Sequence, residues 1–114
     1  MFNKEVWVSG ETLAVKFLKK QGYKILQQNY KNKIGEIDII CFNKKENEII
    51  FVEVKSRSSY EFGLPSEAVD FVKQQKIIKT SQVFLTKNNL LNAKIRFDVI
   101  EVVNKEINHI KYAF

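Results

Sequence analysis

The sequence has very few of the residues on which several classes of protein depend. Its 114 residues include one cysteine, one histidine and one proline. A single cysteine excludes an internal disulfide and a cysteine-rich zinc site, so we expect Cys41 to be a small core residue. A single histidine, His109, excludes mechanisms that need a histidine pair, and we expect it on the surface or on an edge strand.

Long apolar runs and nucleotide-binding loops are also missing. No apolar run approaches the ~20 residues of a membrane span. The first five residues lack the long apolar stretch of a signal peptide, so we expect a cytoplasmic protein. The P-loop, GxGxxG and CxxC patterns are absent. With 45% apolar and 28% charged residues, a chain of this length is expected to form one domain, spanning residues 1–114.

Charge is unevenly distributed along the chain, whose formal net charge is +6. Residues 1–35 contain seven lysines against two acidic residues, and residues 66–96 contain six basic residues against two acidic ones. Residues 36–65 reverse the balance, with four basic and six acidic residues. An acidic segment between basic ones is consistent with a metal site on a surface that attracts phosphates, and equally with solvated lysine-rich helices.

Hydrophobic periodicity predicts the element order α-β-β-β-α-β-β and an α/β fold with a mixed sheet flanked by helices. We expect a helix capped by Ser9 and stopped at Gly22, and a second helix from Pro65 to about Leu85 with apolar stripes on two sides. The strands are predicted at residues 23–30, 36–42, 49–55, 95–103 and 107–112. The strand at residues 49–55 is apolar on both faces, so it should lie at the centre of the sheet.

Two short segments carry the chemistry: Gly35-Glu36-Ile37-Asp38 and Phe51-Val52-Glu53-Val54-Lys55. Because side chains alternate along a strand, Glu53 and Lys55 should share one face. A short hairpin between the two strands would make Asp38 and Glu53 neighbours. Two carboxylates and the Val54 carbonyl are ligands that Mg²⁺ or Mn²⁺ prefers, and a lysine beside them could hold or deprotonate an attacking water.

Each of these residues alone has a plainer interpretation. An isolated Glu53-x-Lys55 pair is more often an exposed ion pair on a sheet, and Asp38 alone would suit a strand end. Glu11 either complements the positive end of its helix or points into a site at the sheet edge, where it could complete the acidic set of metal ligands. Arg96 and Asp98 share a strand face and are expected to form a structural ion pair. The order and spacing of the acids and the lysine together favour a metal-dependent phosphodiesterase site.

Several segments closely resemble the YraN family, small bacterial proteins similar to archaeal Holliday junction resolvases of the PD-(D/E)XK superfamily. The match runs from about residue 9 to residue 103. It is carried by Gly10-Glu11, Gly22-Tyr23, Asn29, Gly35–Asp38, Phe51–Arg57, Phe62–Pro65, Glu67–Val69 and Arg96–Ile100. One difference is that Ile37 stands where the superfamily has a proline before the aspartate.

The resemblance implies a restriction-endonuclease-like core and a Mg²⁺- or Mn²⁺-dependent endonuclease acting on branched or structured DNA. It places Asp38, Glu53 and Lys55 in the catalytic positions, with Glu11 as the helix-borne acid, and a homodimer would match the assembly of resolvases. A non-catalytic nucleic-acid-binding module of the same fold and an RNA-processing nuclease are the alternatives. Five basic residues are candidate nucleic-acid contacts: Lys31, Lys33, Arg57, Lys73 and Lys76.

Overall fold

The computed structural model describes residues 9–57 and 69–114, which form two helices and a five-stranded sheet. The elements are α1 (Gly10–Lys20), β1 (Lys24–Lys31), β2 (Glu36–Asn43), β3 (Glu48–Arg57), α2 (Phe71–Lys87), β4 (Lys94–Val103) and β5 (Glu106–Ile110). The predicted α/β class and the predicted element order are confirmed. Neither helix of this described part of the chain is both long enough and apolar enough to cross a membrane.

The sheet is mixed and follows the chain order from β1 to β5. The pairs β1–β2, β2–β3 and β4–β5 are antiparallel, whereas β3 and β4 are parallel. A parallel pair needs a crossover connection, and the segment between β3 and β4 contains α2. β3 therefore lies at the centre of the sheet, as its apolar sequence predicts.

The two helices cover opposite faces of the sheet, and each has its own apolar cluster. Leu18 of α1 packs with Cys41, Val52 and Ile100, and Phe84 of α2 packs with Phe51 and other residues of the second cluster. Cys41 is fully buried, as predicted, and burial raises the pKa of its thiol to about 12. It therefore behaves as a small core residue rather than as a nucleophile.

Two details of the predicted fold were wrong. Asp70 caps α2 in an extended conformation (φ −75°, ψ 171°), so the helix begins at Phe71 and does not run unbroken from Pro65, a position outside the described residues. The prediction that this helix has packed apolar stripes on two sides is also wrong, because Phe71 and Val72 are 70% and 65% exposed. The buried positions follow one stripe that includes threonine and serine, which an apolar pattern does not detect: Ile77, Thr80, Ser81, Phe84 and Leu85.

The start of α1 lies against the end of β3. Ser9 caps the helix by accepting a hydrogen bond from the Thr12 amide at 3.1 Å, as its sequence predicts. A Cβ atom added to Gly10 would lie 1.7 Å from Ser56 Oγ and 3.1 Å from Ser56 Cβ. The absence of a side chain at Gly10 therefore allows the helix, and Glu11 with it, to approach this edge of the sheet closely.

We predict that Gly10→Ala lowers the free energy of unfolding by about 1–2 kcal/mol because the added methyl group overlaps Ser56. The same change should cost clearly less in a Ser56→Ala background, which removes the nearer atom. Urea unfolding of the four proteins of this double-mutant cycle measures the coupling. Equal costs in the two backgrounds would mean that the contact between Gly10 and Ser56 does not limit how α1 packs.

Candidate functional site

The candidate site lies where β2 and β3 separate. Their pairing begins at Ile39↔Val52, one position after Asp38 and one before Glu53. Instead of a backbone partner, the Val54 amide has the Asp38 carboxylate, to which it donates a hydrogen bond at 2.7 Å. The turn between the two strands is short, and the hydrogen bond from the Val54 amide to Asp38 places Asp38 beside the residue that follows Glu53, as the predicted proximity of the two acids requires.

Loss of strand pairing at this point also changes which way a neighbouring residue packs. Simple alternation predicts that Ile37 packs on the same face as Ile39 and Cys41. Ile39 and Cys41 join the cluster under α1, whereas Ile37 joins the cluster under α2. This part of β2 pairs with β1 but not with β3, so the pleat of the central sheet does not fix its side-chain directions.

The two carboxyl groups cannot both be ionised at low cost. Burial raises the pKa of Asp38 to about 7, and the hydrogen bond and charge of Glu53 add to this effect, while the Val54 amide opposes it. Glu53 itself is only 6% exposed. A pair of close carboxyl groups that holds one proton between them is a site where a divalent cation can take the place of that proton.

Two lysines surround the Glu53 carboxylate, and both contact the same oxygen. Lys55 Nζ lies 3.8 Å from Glu53 Oε2, which confirms that the two side chains share a strand face. Lys73, from the first turn of α2, forms an ion pair with the same Oε2 atom. A hydrogen bond with Lys73, together with burial and the charge of Lys73, lowers the pKa of Lys55.

Glu11 reaches the site from the first turn of α1, and its charge contributes to the raised pKa of Asp38. Asn29 of β1 holds this glutamate. With its nitrogen turned toward the carboxylate, the Asn29 amide donates to Glu11 Oε1 and Oε2 at 3.1 and 3.3 Å. Asn29 has a positive φ of 52° and stands opposite Asp38, between the pairs Gln28↔Ile39 and Tyr30↔Ile37. Glu11 therefore points into the site and does not merely complement the helix end.

The donor set at this edge suits a hard divalent cation, although it is small. Among residues 9–57 and 69–114, no three His, Cys, Asp or Glu side chains form a group that could hold a metal ion. The carboxylates of Asp38 and Glu53 form a pair instead. Because the N–H and C=O of a strand residue point to the same side, the Val54 carbonyl lies on the edge where its amide meets Asp38. One half-buried carboxylate, one buried carboxylate and a carbonyl fit the oxygen ligands that Mg²⁺ and Mn²⁺ accept, with water completing the shell.

The basic residues predicted to contact nucleic acid have different surroundings. Lys33 and Lys76 are exposed, and Lys31 is an exposed partner of Glu36 at 3.6 Å. Gly35, which follows Lys31 and Lys33, lies against α2. A Cβ atom at Gly35 would be 3.1 Å from Thr80 Oγ1 and 3.9 Å from Lys76 Cβ. The basic turn between β1 and β2 thus lies beside α2, close to the candidate site.

Arg57 lies near the site but is already paired. Its guanidinium group binds Glu101 Oε2 of the neighbouring strand, with Nε at 2.7 Å and Nη2 at 2.5 Å. Glu101 is fully buried. Since a buried carboxylate left without its partner is costly, the first role of Arg57 is to neutralise Glu101.

A second ionic cluster surrounds Arg96 at the opposite end of β3 and β4. The predicted pair with Asp98 is confirmed, with Nε–O distances of 3.1 and 3.2 Å. Glu46, Glu48 and the Tyr23 hydroxyl accept the remaining guanidinium hydrogen bonds. His109 lies on the edge strand β5, as predicted, but its side chain is only 8% exposed and is bonded to Asp98 Oδ2 at 2.7 Å. Each of the charged groups described in this cluster has a hydrogen-bond partner within it, so the cluster has a structural role.

The sequence does not predict the contacts that two residues make in this site. It indicates Lys73 only as a candidate nucleic-acid contact, and it marks Asn29 only as part of the family resemblance. Both residues reach the carboxylates from elements whose placement depends on the whole sheet. An asparagine inside a strand, where the type is uncommon, is the one local sign that marked Asn29.

The fold and this edge define a class: small α/β proteins in which a pair of carboxylates and two lysines meet where a mixed sheet opens. Residues 10–102 match the family described as Uncharacterised protein family UPF0102. The chain is 57% identical to a UPF0102 protein of Clostridioides difficile (strain 630), covering 100% of both chains. It is 53% identical to a UPF0102 protein of Caldanaerobacter subterraneus subsp. tengcongensis, covering 97% of this chain and 95% of the relative. A UPF0102 protein of Clostridium beijerinckii is 49% identical over 98% of this chain and 94% of its own length. The chain belongs to the UPF0102 family.

Proposed function

We propose that this protein is a divalent-metal-dependent endonuclease that hydrolyses phosphodiester bonds in branched or otherwise structured DNA. The observation that carries the proposal is the pair formed by the half-buried Asp38 and the buried Glu53 carboxyl groups, flanked by Lys55 at an open sheet edge. Acid, acid and lysine in this arrangement match the site implied by the likeness to PD-(D/E)XK nucleases. The exposed lysines on the neighbouring turn and on α2 offer contacts for phosphates.

Each residue of the site has a role in this proposal. Asp38 and Glu53 would hold Mg²⁺ or Mn²⁺ through their carboxylate oxygens, with the Val54 carbonyl beside them. When bound, such a cation neutralises charge on the scissile phosphate and makes a water molecule more acidic. Lys55 orients the attacking water and accepts its proton at Nζ, which the lowered pKa favours. Glu11, held by Asn29, adds negative charge beside Asp38.

A non-catalytic nucleic-acid-binding module is the second candidate. The observation in its favour is that Lys55 and Lys73 already neutralise Glu53 without a metal ion. In this alternative the carboxylates only position the lysines for phosphate contacts. Binding without cleavage, unaffected by Mg²⁺, would support it.

The proposal is tested by incubating the purified protein with labelled four-way junction, flap, duplex and single-stranded DNA, and with a structured RNA. Each substrate is supplied with Mg²⁺, with Mn²⁺ or with EDTA. We expect cleavage of the branched DNA with either metal, little cleavage of the other substrates, and none with EDTA. Tight, salt-dependent binding without any cleavage product would support the binding module. Cleavage of the RNA alone would mean that the substrate is structured RNA rather than DNA.

A further inference from the structure

Lys73 stands where the physics of a helix disfavours it. It lies in the first turn of α2, which contains no acidic residue. The positive end of the helix dipole stabilises acidic side chains there and repels a lysine. The ion pair with Glu53, the described partner of Lys73, offsets this cost. Lys73 therefore belongs to the carboxylate site rather than to the stability of its helix.

The backbone of Lys73 is fixed while its side chain keeps a path to solvent. The Lys73 amide donates a hydrogen bond to the capping Asp70 carboxylate at 2.9 Å, so the Cα position is set by the helix start. The Lys73 side chain is 43% exposed, whereas the side chain of Glu53, which its Nζ contacts, is only 6% exposed. A four-carbon stem with a fixed base can swing its ammonium group between a buried carboxylate and the surface.

The contacted oxygen is one of the two through which Glu53 could hold a metal ion. Lys55 and Lys73 both meet Glu53 Oε2, and Asp38 lies beside them on the neighbouring strand, bonded to the Val54 amide. An ammonium group and a divalent cation cannot share this small space without strong repulsion. Binding of the cation must weaken or break the contact between Lys73 and Glu53.

We propose that Lys73 is a positioning residue that occupies the cation's place at Glu53 in the metal-free protein and moves to a nucleic-acid phosphate when the cation binds. This inference rests on the metal site of the proposed function. It makes metal binding and phosphate binding mutually supportive, because a bound cation releases a positive charge toward the substrate. In the metal-free protein the same contact keeps Glu53 neutralised.

The first test compares Mn²⁺ affinity, measured by calorimetry without nucleic acid, among the wild type, Lys73→Met and Lys79→Met. Lys79 is the matched control because it is an exposed lysine of the same helix that is not among the candidate nucleic-acid contacts. We expect Lys73→Met to bind Mn²⁺ roughly three- to tenfold more tightly, since a partly exposed ion pair no longer competes. Lys79→Met should stay within about twofold of the wild type.

The second test measures the salt dependence of DNA binding in a Lys55→Ala background, so that cleavage does not interfere. Without metal, proteins with and without Lys73→Met should give the same slope of log K against log salt. With Mn²⁺, the protein that keeps Lys73 should have a slope steeper by about 0.9, the value of one additional phosphate contact.

The outcomes separate this inference from the proposed function. Equal Mn²⁺ affinities of the wild type and Lys73→Met would overturn the displacement of Lys73 while leaving the metal site intact. If neither protein binds Mn²⁺, the proposed metal site is wrong, and so is the proposed displacement of Lys73. Circular dichroism confirms folding, and Lys73→Gln, which removes the charge but keeps a polar group, should change the affinity in the same direction.

Discussion

Lys55→Ala should abolish DNA cleavage, with a loss of about 10³-fold or more, and leave DNA binding within about threefold of the wild type. The expected loss is that of a residue that takes part directly in proton transfer. Lys55 lies beside Glu53 and Lys73 at the open edge of the sheet, and its side chain is 27% exposed, so it can reach a water molecule. Binding should persist because most phosphate contacts would come from other lysines.

Single-turnover cleavage of a labelled four-way junction, together with filter binding of the same DNA, measures both effects. Lys44→Ala is the control, since it removes an exposed lysine from the turn between β2 and β3, at the far end of the sheet. The control should cut at the wild-type rate. Full cleavage by Lys55→Ala would mean that Lys55 is not catalytic and serves only as an ion-pair partner of Glu53.

Asp38→Asn should stabilise the metal-free protein at pH 8 and weaken Mn²⁺ binding by at least about tenfold, the lower limit seen when even an outer-shell partner is lost. In the metal-free wild type the Asp38 carboxyl keeps its proton up to a pKa of about 7, whereas the unfolded chain loses it near 3.8. The folded state therefore binds more protons between these values, and stability falls as the pH rises from about 4 to about 7. Asparagine reproduces the protonated form, so it should remove this fall.

The gain at pH 8 should be roughly 2 kcal/mol, about half of what the full separation of the two pKa values implies, because solvent reaches part of the group. Urea unfolding at pH 5 and pH 8, with and without Mn²⁺, measures it. Mn²⁺ should stabilise the wild type at pH 8 but have little effect on Asp38→Asn. If the two proteins lose stability equally between pH 5 and pH 8 and gain equally from Mn²⁺, Asp38 is not the group that exchanges its proton for a metal ion.

Much of the site could be predicted from the sequence because it depends on local geometry. Alternation along one strand places Glu53 and Lys55 on the same face, and a short turn makes the strands of Asp38 and Glu53 neighbours. The pair of Arg96 and Asp98 follows from the same alternation. In each case the residues are either two apart on a strand or joined by a hairpin, so tertiary packing has little freedom to separate them.

The rest of the site depends on how separate elements are packed. Lys73 follows Glu53 by twenty residues and meets it only because α2 begins at Phe71, a boundary that the apolar pattern misplaced. Buried threonine and serine on that helix, and exposed Phe71 and Val72, reverse the usual relation between polarity and burial. The contact between Asn29 and Glu11 requires a positive φ in β1 and the close approach of α1 at Gly10. Neither condition is visible in a hydrophobic pattern.

The central claim is that Asp38 and Glu53 form a divalent-metal site at this sheet edge. A crystal structure of the protein grown with Mn²⁺, with anomalous scattering measured at the manganese edge, tests it most directly. We predict an anomalous peak bound by the carboxylates of Asp38 and Glu53, with the Val54 carbonyl as a further ligand and Lys73 turned away from Glu53. A map with no peak between the two carboxylates, and with Lys73 still paired to Glu53, would contradict the account.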